Sequence, residues 1–238
     1  MTQNNLAAIF HNRIRGNKEE NLECAIHHYK QALVVHTQEA FPVEWAMIQN
    51  NLAITYMDRI RGERAENLES AVYHCRQALL VRTREAFPAE WAMTQNNLAN
   101  VYQHRIWDGR AENLETAIEI YQKVLQVITR YNMPVAWART TNNLATAYCN
   151  RIHGERTRNL KDAIGAYEQA LEVRTREAMP VAHRQTQSDL GHTWLVLRDW
   201  QKAASAYQAA LDVNELLYAI AATPEARQGE LRAVSDAP

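Results

Sequence analysis

Glycine and proline are scarce, with 7 Gly and 6 Pro in 238 residues. That is too few for the many turns of an all-β protein, or for the Gly-rich phosphate loops of a nucleotide-binding α/β fold. Cysteine is scarce as well. Cys24, Cys75 and Cys149 are an odd number without framework spacing, which argues against a disulfide-stapled module and points to a reducing compartment. Neither sign of charge dominates: 26 Lys+Arg against 27 Asp+Glu leaves a formal net charge of -1. There is no excess positive potential for a nucleic acid or an anionic membrane, so neither partner is expected. No apolar run approaches the roughly 20 residues that span a bilayer, and Met1 to Arg15 lack the apolar centre of a signal peptide. A cytoplasmic location is the resulting expectation. No His-Glu-x-x-His, P-loop or nucleophile elbow occurs either, so no enzyme and no cofactor are expected.

What the sequence does have is a period. Asn4-Asn5-Leu6-Ala7 recurs as Asn50-Asn51-Leu52-Ala53, Asn96-Asn97-Leu98-Ala99 and Asn142-Asn143-Leu144-Ala145, a step of 50 − 4 = 46 residues. Arg13, Arg59, Arg105 and Arg151 keep the same phase, as do Asn21, Asn67, Asn113 and Asn159, and Pro42, Pro88, Pro134 and Pro180. Each unit divides into two helices. Pro88 suits a first helical position, and Trp91, Gln95, Leu98, Ala99 and Tyr102 form one face of a helix to about Ile106. The matching helix before it is expected to end near Gly62, with Asn67 as N-cap of a second helix. Leu68, Ala71, Val72, Cys75, Ala78, Leu79 and Val81 give that helix an apolar stripe up to about Ala86. Such amphipathic helices do not stand alone in water, so the units must stack.

The spacing of Leu52, Ala53 and Tyr56, then Ala71, Cys75 and Ala78, resembles the tetratricopeptide repeat, whose usual unit is 34 residues. Here about six extra residues lie between Tyr56 and Ala71 and about six more before Leu98. Leu190, Gly191, Trp194, Ala203, Tyr207 and Ala210 stand at the ordinary short spacing, with Arg198-Asp199 as a tight turn. The string Asn-Asn-Leu-Ala, Tyr, Arg-Ile, Glu-Asn-Leu-Glu and Pro-x-x-Trp-Ala is most similar to the tandem arrays that precede CHAT domains, caspase-like peptidase modules of bacterial proteins. The resemblance implies an all-α, right-handed superhelical solenoid of antiparallel helix pairs over residues 1–222. Its units are about 1–41, 42–87, 88–133, 134–179 and 180–222, followed by a tail or partial capping helix over 223–238. Because Met1 aligns with Met47, the first helix begins halfway, and its exposed Leu6 and Ile9 favour a partner or a second copy.

In such arrays the first helix of each unit lines the concave face. The resemblance then implies a protein or peptide ligand held by two asparagine columns: Asn5, Asn51, Asn97 and Asn143, which family members use, and Asn4, Asn50, Asn96 and Asn142 beside it. An amide offers one acceptor and two donors, suited to the backbone of an extended segment. The alternative is that the amides bond neighbouring helices. Met47, Met93, Ile54, Met57, Asn100 and His104 are the further lining positions, neutral and mildly apolar, with methionine fitting an irregular ligand. A non-catalytic interaction scaffold is the first reading. The sensing part of a CHAT peptidase system and a self-assembling module are the alternatives. Arg13, Arg59, Arg105 and Arg151, with Glu20, Glu66 and Glu112, are expected to join adjacent units by ion pairs or to cap carbonyls. The Trp45, Trp91 and Trp137 column is expected to pack between units. Cys24 and His28, with His27, have one-face spacing but lack further ligands, so no metal is assigned to them.

Overall fold

A computed structural model describes residues 2–220, and the expected tail over 223–238 lies outside them. Ten α-helices and no strands are present among the described residues: α1 (Gln3–Asn12), α2 (Lys18–Val35), α3 (Pro42–Asp58), α4 (Arg64–Leu79), α5 (Pro88–His104), α6 (Arg110–Leu125), α7 (Pro134–Asn150), α8 (Arg156–Leu171), α9 (Pro180–Val196) and α10 (Trp200–Ile220). They pair in order as hairpins, and the chain divides into two compact units between Val127 and Ile128. The first unit holds hairpins α1–α2, α3–α4 and α5–α6, and the second holds α7–α8 and α9–α10. Within each unit, the second helix of one hairpin packs on the first helix of the next. First helices also touch one another, whereas no pair of second helices does among the described residues. One row of first helices therefore runs along each unit.

Proline starts these first helices as expected: Pro42, Pro88, Pro134 and Pro180 each open one. The preceding residues Phe41, Phe87, Met133 and Met179 sit at φ of -139° to -145° and ψ of 63° to 66°, outside the helical region that a following proline ring disfavours. The other boundaries correct the sequence expectation. Helix α3 stops at Asp58, four residues before Gly62, and α4 stops at Leu79 rather than near Ala86. The extra residues of the long repeat form turns instead. In the turn after α4, Ala86 N–H donates to the Thr83 hydroxyl at 3.2 Å, and Arg82 is drawn inward to donate to the Thr94 hydroxyl at 3.0 Å. Arg174 and Thr186 repeat that contact at 3.1 Å in the second unit. Burial disfavours the charge on both guanidiniums.

Asn67 is no N-cap. That position belongs to Glu63, and Asn67 sits one turn into α4, only 2% exposed. Its amide reaches back to donate to the Arg61 carbonyl at 2.9 Å, and its oxygen accepts from the Arg59 guanidinium at 3.2 Å. Asn21, Asn113 and Asn159 donate in the same way to Arg15, Trp107 and His153 carbonyls at 3.1, 2.6 and 2.8 Å. The asparagine column thus ties each connection to the helix that follows it. The tie spans a left-handed residue, Gly62 at φ 82°; the third hairpin places Asp108 at φ 66° there, with its carboxylate 2.5 Å from Arg105.

The hairpins are locked to each other by buried alanines and by ion pairs. Ala46, Ala53, Ala71, Ala78 and Ala99 are at most 1% exposed, so backbones approach closely at each seam. In the second unit, Ala145, Ala163, Ile164, Ala166, Tyr167, Leu190 and Ala206 form one cluster across four helices. Gly191 lets the Tyr207 ring lie against α9, where an added Cβ would meet the ring at 3.1 Å. Arg59 clasps Glu23 of the preceding hairpin with two bonds of 2.7 and 2.9 Å, and Arg105 clasps Glu69 at 2.6 and 2.9 Å. These partners stand three residues beyond the expected Glu20 and Glu66. Each contact holds the Arg charged and, for Glu23, the carboxyl below its ordinary range. Arg105→Lys cannot form the two-pronged contact, so it is expected to lower the unfolding free energy by about 1 kcal/mol. Urea denaturation at low and high salt measures this, and an unchanged midpoint would remove the clasp from the stability of the seam.

Candidate functional site

The row of first helices α1, α3 and α5 carries the residues that the sequence singles out in the first unit. They fall into two environments. Met47 and Met93 are both 36% exposed, and His104 and Asn5 are exposed. Ile54, Met57, Asn97, Asn100 and Asn51 are half-buried, as is Asn143 on α7 of the second unit.

Asn50 and Asn96 do not line an open face. They are 2% and 1% exposed, and Asn142 is 7% exposed. The physical reason is register: this position points into the seam between consecutive first helices. The Asn50 oxygen accepts from the Asn97 amide of the next hairpin at 3.0 Å, and the Asn142 oxygen accepts from the Thr186 hydroxyl at 2.8 Å. The bonding of neighbouring helices, the alternative left open by the sequence, describes this column. The second column is divided. One N–H of Asn97 is spent on Asn50, and Asn51 hydrogen-bonds the Tyr29 hydroxyl from below. The remaining amide atoms of Asn51 and Asn97 belong to half-exposed side chains.

A group that sequence reasoning missed supports this face from beneath. Tyr29, Tyr121 and Tyr167 of the second helices are 3%, 0% and 2% exposed, and their hydroxyls reach the first-helix row. Tyr121 donates to the Asn100 oxygen and accepts from Gln103 at 2.6 Å, while the Tyr167 hydroxyl lies 3.0 Å from that of Thr146. Desolvation drives all three phenols upward, Tyr29 to about 12. The signal was present in the sequence as a tyrosine column, broken in the second hairpin by Cys75. That thiol is fully buried and pushed up to about 12, so it is a core group and not a nucleophile. Asn100 is thus braced from beneath, its oxygen already committed to Tyr121.

The other chemistry-bearing candidates have structural partners. His28 bonds the Gln3 side chain at 2.7 Å and stacks on Phe10 at 5.5 Å, fastening α1 to α2. Trp45 is packed with Ala46, Ala78 and Leu33 of the preceding hairpin. Among the described residues, no three His, Cys, Asp or Glu side chains converge as metal ligands, and no helix is long and apolar enough to cross a membrane.

Residues 45–85 and 91–128 match the tetratricopeptide repeat family. No curated protein matches the sequence. Among solved structures, the fold is similar to a crystal structure of MamA, at 17% identity over 82% of this chain and 90% of that one, with a TM-score of 0.53. It is also similar to BtubC from P. vanneervenii, at 20% identity over 91% of this chain and 88% of that one, with a TM-score of 0.62. At these identities the likeness speaks of architecture alone: the chain folds as tetratricopeptide-like helical hairpins, and residues 45–85 and 91–128 carry the repeat's sequence signature as well.

Proposed function

We propose that this chain is a non-catalytic protein-interaction scaffold that holds a peptide or protein segment on the first-helix row of its first unit. One observation carries the reading. Along α3 and α5 the outward positions are occupied by Met47, Met93, Ile54 and Met57, flexible or branched apolar groups left partly in water beside half-exposed amides. A solvent-facing row of this kind offers adaptable apolar contact with fixed polar groups for orientation. The ligand-facing role falls to Asn51 and Asn97 and to the methionines, with Asn5 and His104 at the margins; Asn143 holds the same repeat position on α7, in the second unit. Asn50 and Asn96 serve by fixing the register of the helices that carry them.

The test uses peptides selected from a random displayed library against the purified chain. Met47→Glu together with Met93→Glu, both at exposed positions, is expected to weaken the selected peptides at least about tenfold. Asn51→Ala is expected to weaken them several-fold at unchanged helical content. Peptides that bind both variants as they bind the wild type would exclude this face. A narrower form of the proposal, supported by the resemblance of the repeat string, is that the segment held belongs to a CHAT peptidase system. A CHAT domain encoded beside this gene that binds the wild type and not the Met47/Met93 variant is its expected result.

A further inference from the structure

We propose that the turn between α4 and α5 holds a small inorganic anion of chloride size, bound by the buried guanidinium of Arg82. The proposal is independent of the ligand reading above and concerns a different place, the cavity where α3, this turn and α5 meet. Arg82 is 7% exposed and carries its charge into the protein. One of its N–H groups donates to the Thr94 hydroxyl at 3.0 Å; among the described residues the guanidinium has no other hydrogen bond and no ion pair. A hydroxyl is a neutral partner. Buried charges are otherwise paired, because leaving water without a counter-charge is costly. Burial weighs against the charge on Arg82 without removing it at neutral pH.

The surroundings supply what an anion needs. A cavity of about 60 Å³ lies against Arg82, lined also by Val43 of α3, Val81 of the turn, Phe87 and Glu90. A water needs roughly 10–15 Å³, so this space takes a chloride-sized ion and little more. Helix α5 opens beside it with no side-chain cap at Phe87, and its first-turn amides add the positive end of a helix to the guanidinium. The carboxylate on the lining, Glu90, is exposed and acts on Arg82 only at a distance, where water screens it. The second unit shows how the same arrangement is neutralised from within. Arg174 and Thr186 repeat the pair at 3.1 Å, and there the half-buried Asp189 carboxylate stands within electrostatic reach of the guanidinium. Asp189 lies 15 residues after Arg174, and the residue 15 after Arg82 is the neutral Asn97. The counter-charge that the second unit builds into its sequence is, in the first unit, left to an ion from solution.

Sodium chloride exchanged for sodium gluconate at constant ionic strength tests the site through thermal unfolding of the full chain. An ion bound only by the folded state raises Tm, and gluconate is too large for the cavity. Chloride is expected to raise Tm by about 2–4 °C and to saturate. Arg82→Met should lose that rise at an unchanged helical signal. Glu90→Gln, at an exposed site, removes a like charge from the lining and should bring the half-point to about threefold lower chloride. Crystals of the wild-type chain soaked in sodium bromide give a view that does not depend on whether Arg82→Met folds: anomalous scattering should place a bromide in this cavity, within hydrogen-bond distance of Arg82. A Tm that does not distinguish chloride from gluconate overturns the proposal. So does a chloride effect that persists in Arg82→Met, a half-point unmoved in Glu90→Gln, or a crystal with bromide on its surface and only water beside Arg82.

Discussion

Replacing Asn67 by alanine is expected to remove about 2–3 kcal/mol from the unfolding free energy of the first unit, although the side chain touches neither the apolar core nor the candidate binding face. The reasoning is one of satisfaction rather than of packing. Asn67 is 2% exposed, so its own amide depends on the bonds it makes to the connection. Its amide donates to the Arg61 carbonyl at 2.9 Å, and its oxygen receives the Arg59 guanidinium at 3.2 Å. Alanine takes the partner from both the Arg61 carbonyl and the Arg59 guanidinium, and frees the residue at φ 82°, Gly62, from the contact that holds its turn closed. Asn67→Asp separates the two roles. It keeps an acceptor for Arg59 but turns the donor into a second acceptor facing the Arg61 carbonyl, so it should be no better than alanine. Urea unfolding of both variants reads the effect. A loss under about 0.5 kcal/mol for Asn67→Ala would show that the connection closes without its asparagine.

That asparagine also marks where sequence reasoning reached and where it stopped. The 46-residue period, the proline at each first-helix start and the apolar stripes are local and repetitive, so helix number and pairing followed directly. Cap assignments did not. Asn67 has the residue type of an N-cap, but the chain enters α4 at Arg64, which carries Asn67 past the cap and turns its side chain back onto the connection. The turn after α4 was concealed for a related reason. Thr83 and Glu85 do not break a helical pattern, and what ends α4 is a distant partner, Thr94, that captures Arg82.

The candidate face was legible in part for the same physical cause. Sequence periodicity shows which column a residue occupies, but a column that faces another helix and one that faces water differ by a rotation of one residue. Asn50 and Asn51 are adjacent and chemically identical; the first is sealed against Asn97 and the second is half-exposed over Tyr29. Only the packed positions of α3 and α5 decide between them. The tyrosine hydroxyls beneath the row were hidden for another reason, since an apolar stripe registers the ring and not where its polar end emerges.

Acidification is expected to weaken the first unit well before its carboxylates titrate, and His74 is the main cause. Its ring lies on the Tyr56 ring at 5.3 Å and is bonded at one nitrogen to the Gln49 oxygen at 2.5 Å. Burial, with the Lys30 ammonium nearby, lowers its pKa from 6.5 to about 4. The folded state therefore takes the proton less readily than the unfolded chain. Stability is complete above pH 6.5 and falls as the pH drops toward 4, because the unfolded chain is protonated first. A difference of 6.5 − 4 = 2.5 pH units corresponds to about 2 kcal/mol lost by pH 5 and about 3 kcal/mol by pH 4. His11, whose ring is held by Thr55 in the α1–α3 seam, is shifted the same way by burial and adds to the slope. Glu23 opposes neither, since its depressed pKa confines its own contribution to lower pH. Urea midpoints between pH 7.5 and 5 isolate the histidine effect. His74→Phe keeps the ring stack and should flatten most of the slope, whatever it does to stability at pH 7.5. A slope that survives in His74→Phe would place the acid sensitivity elsewhere in the unit.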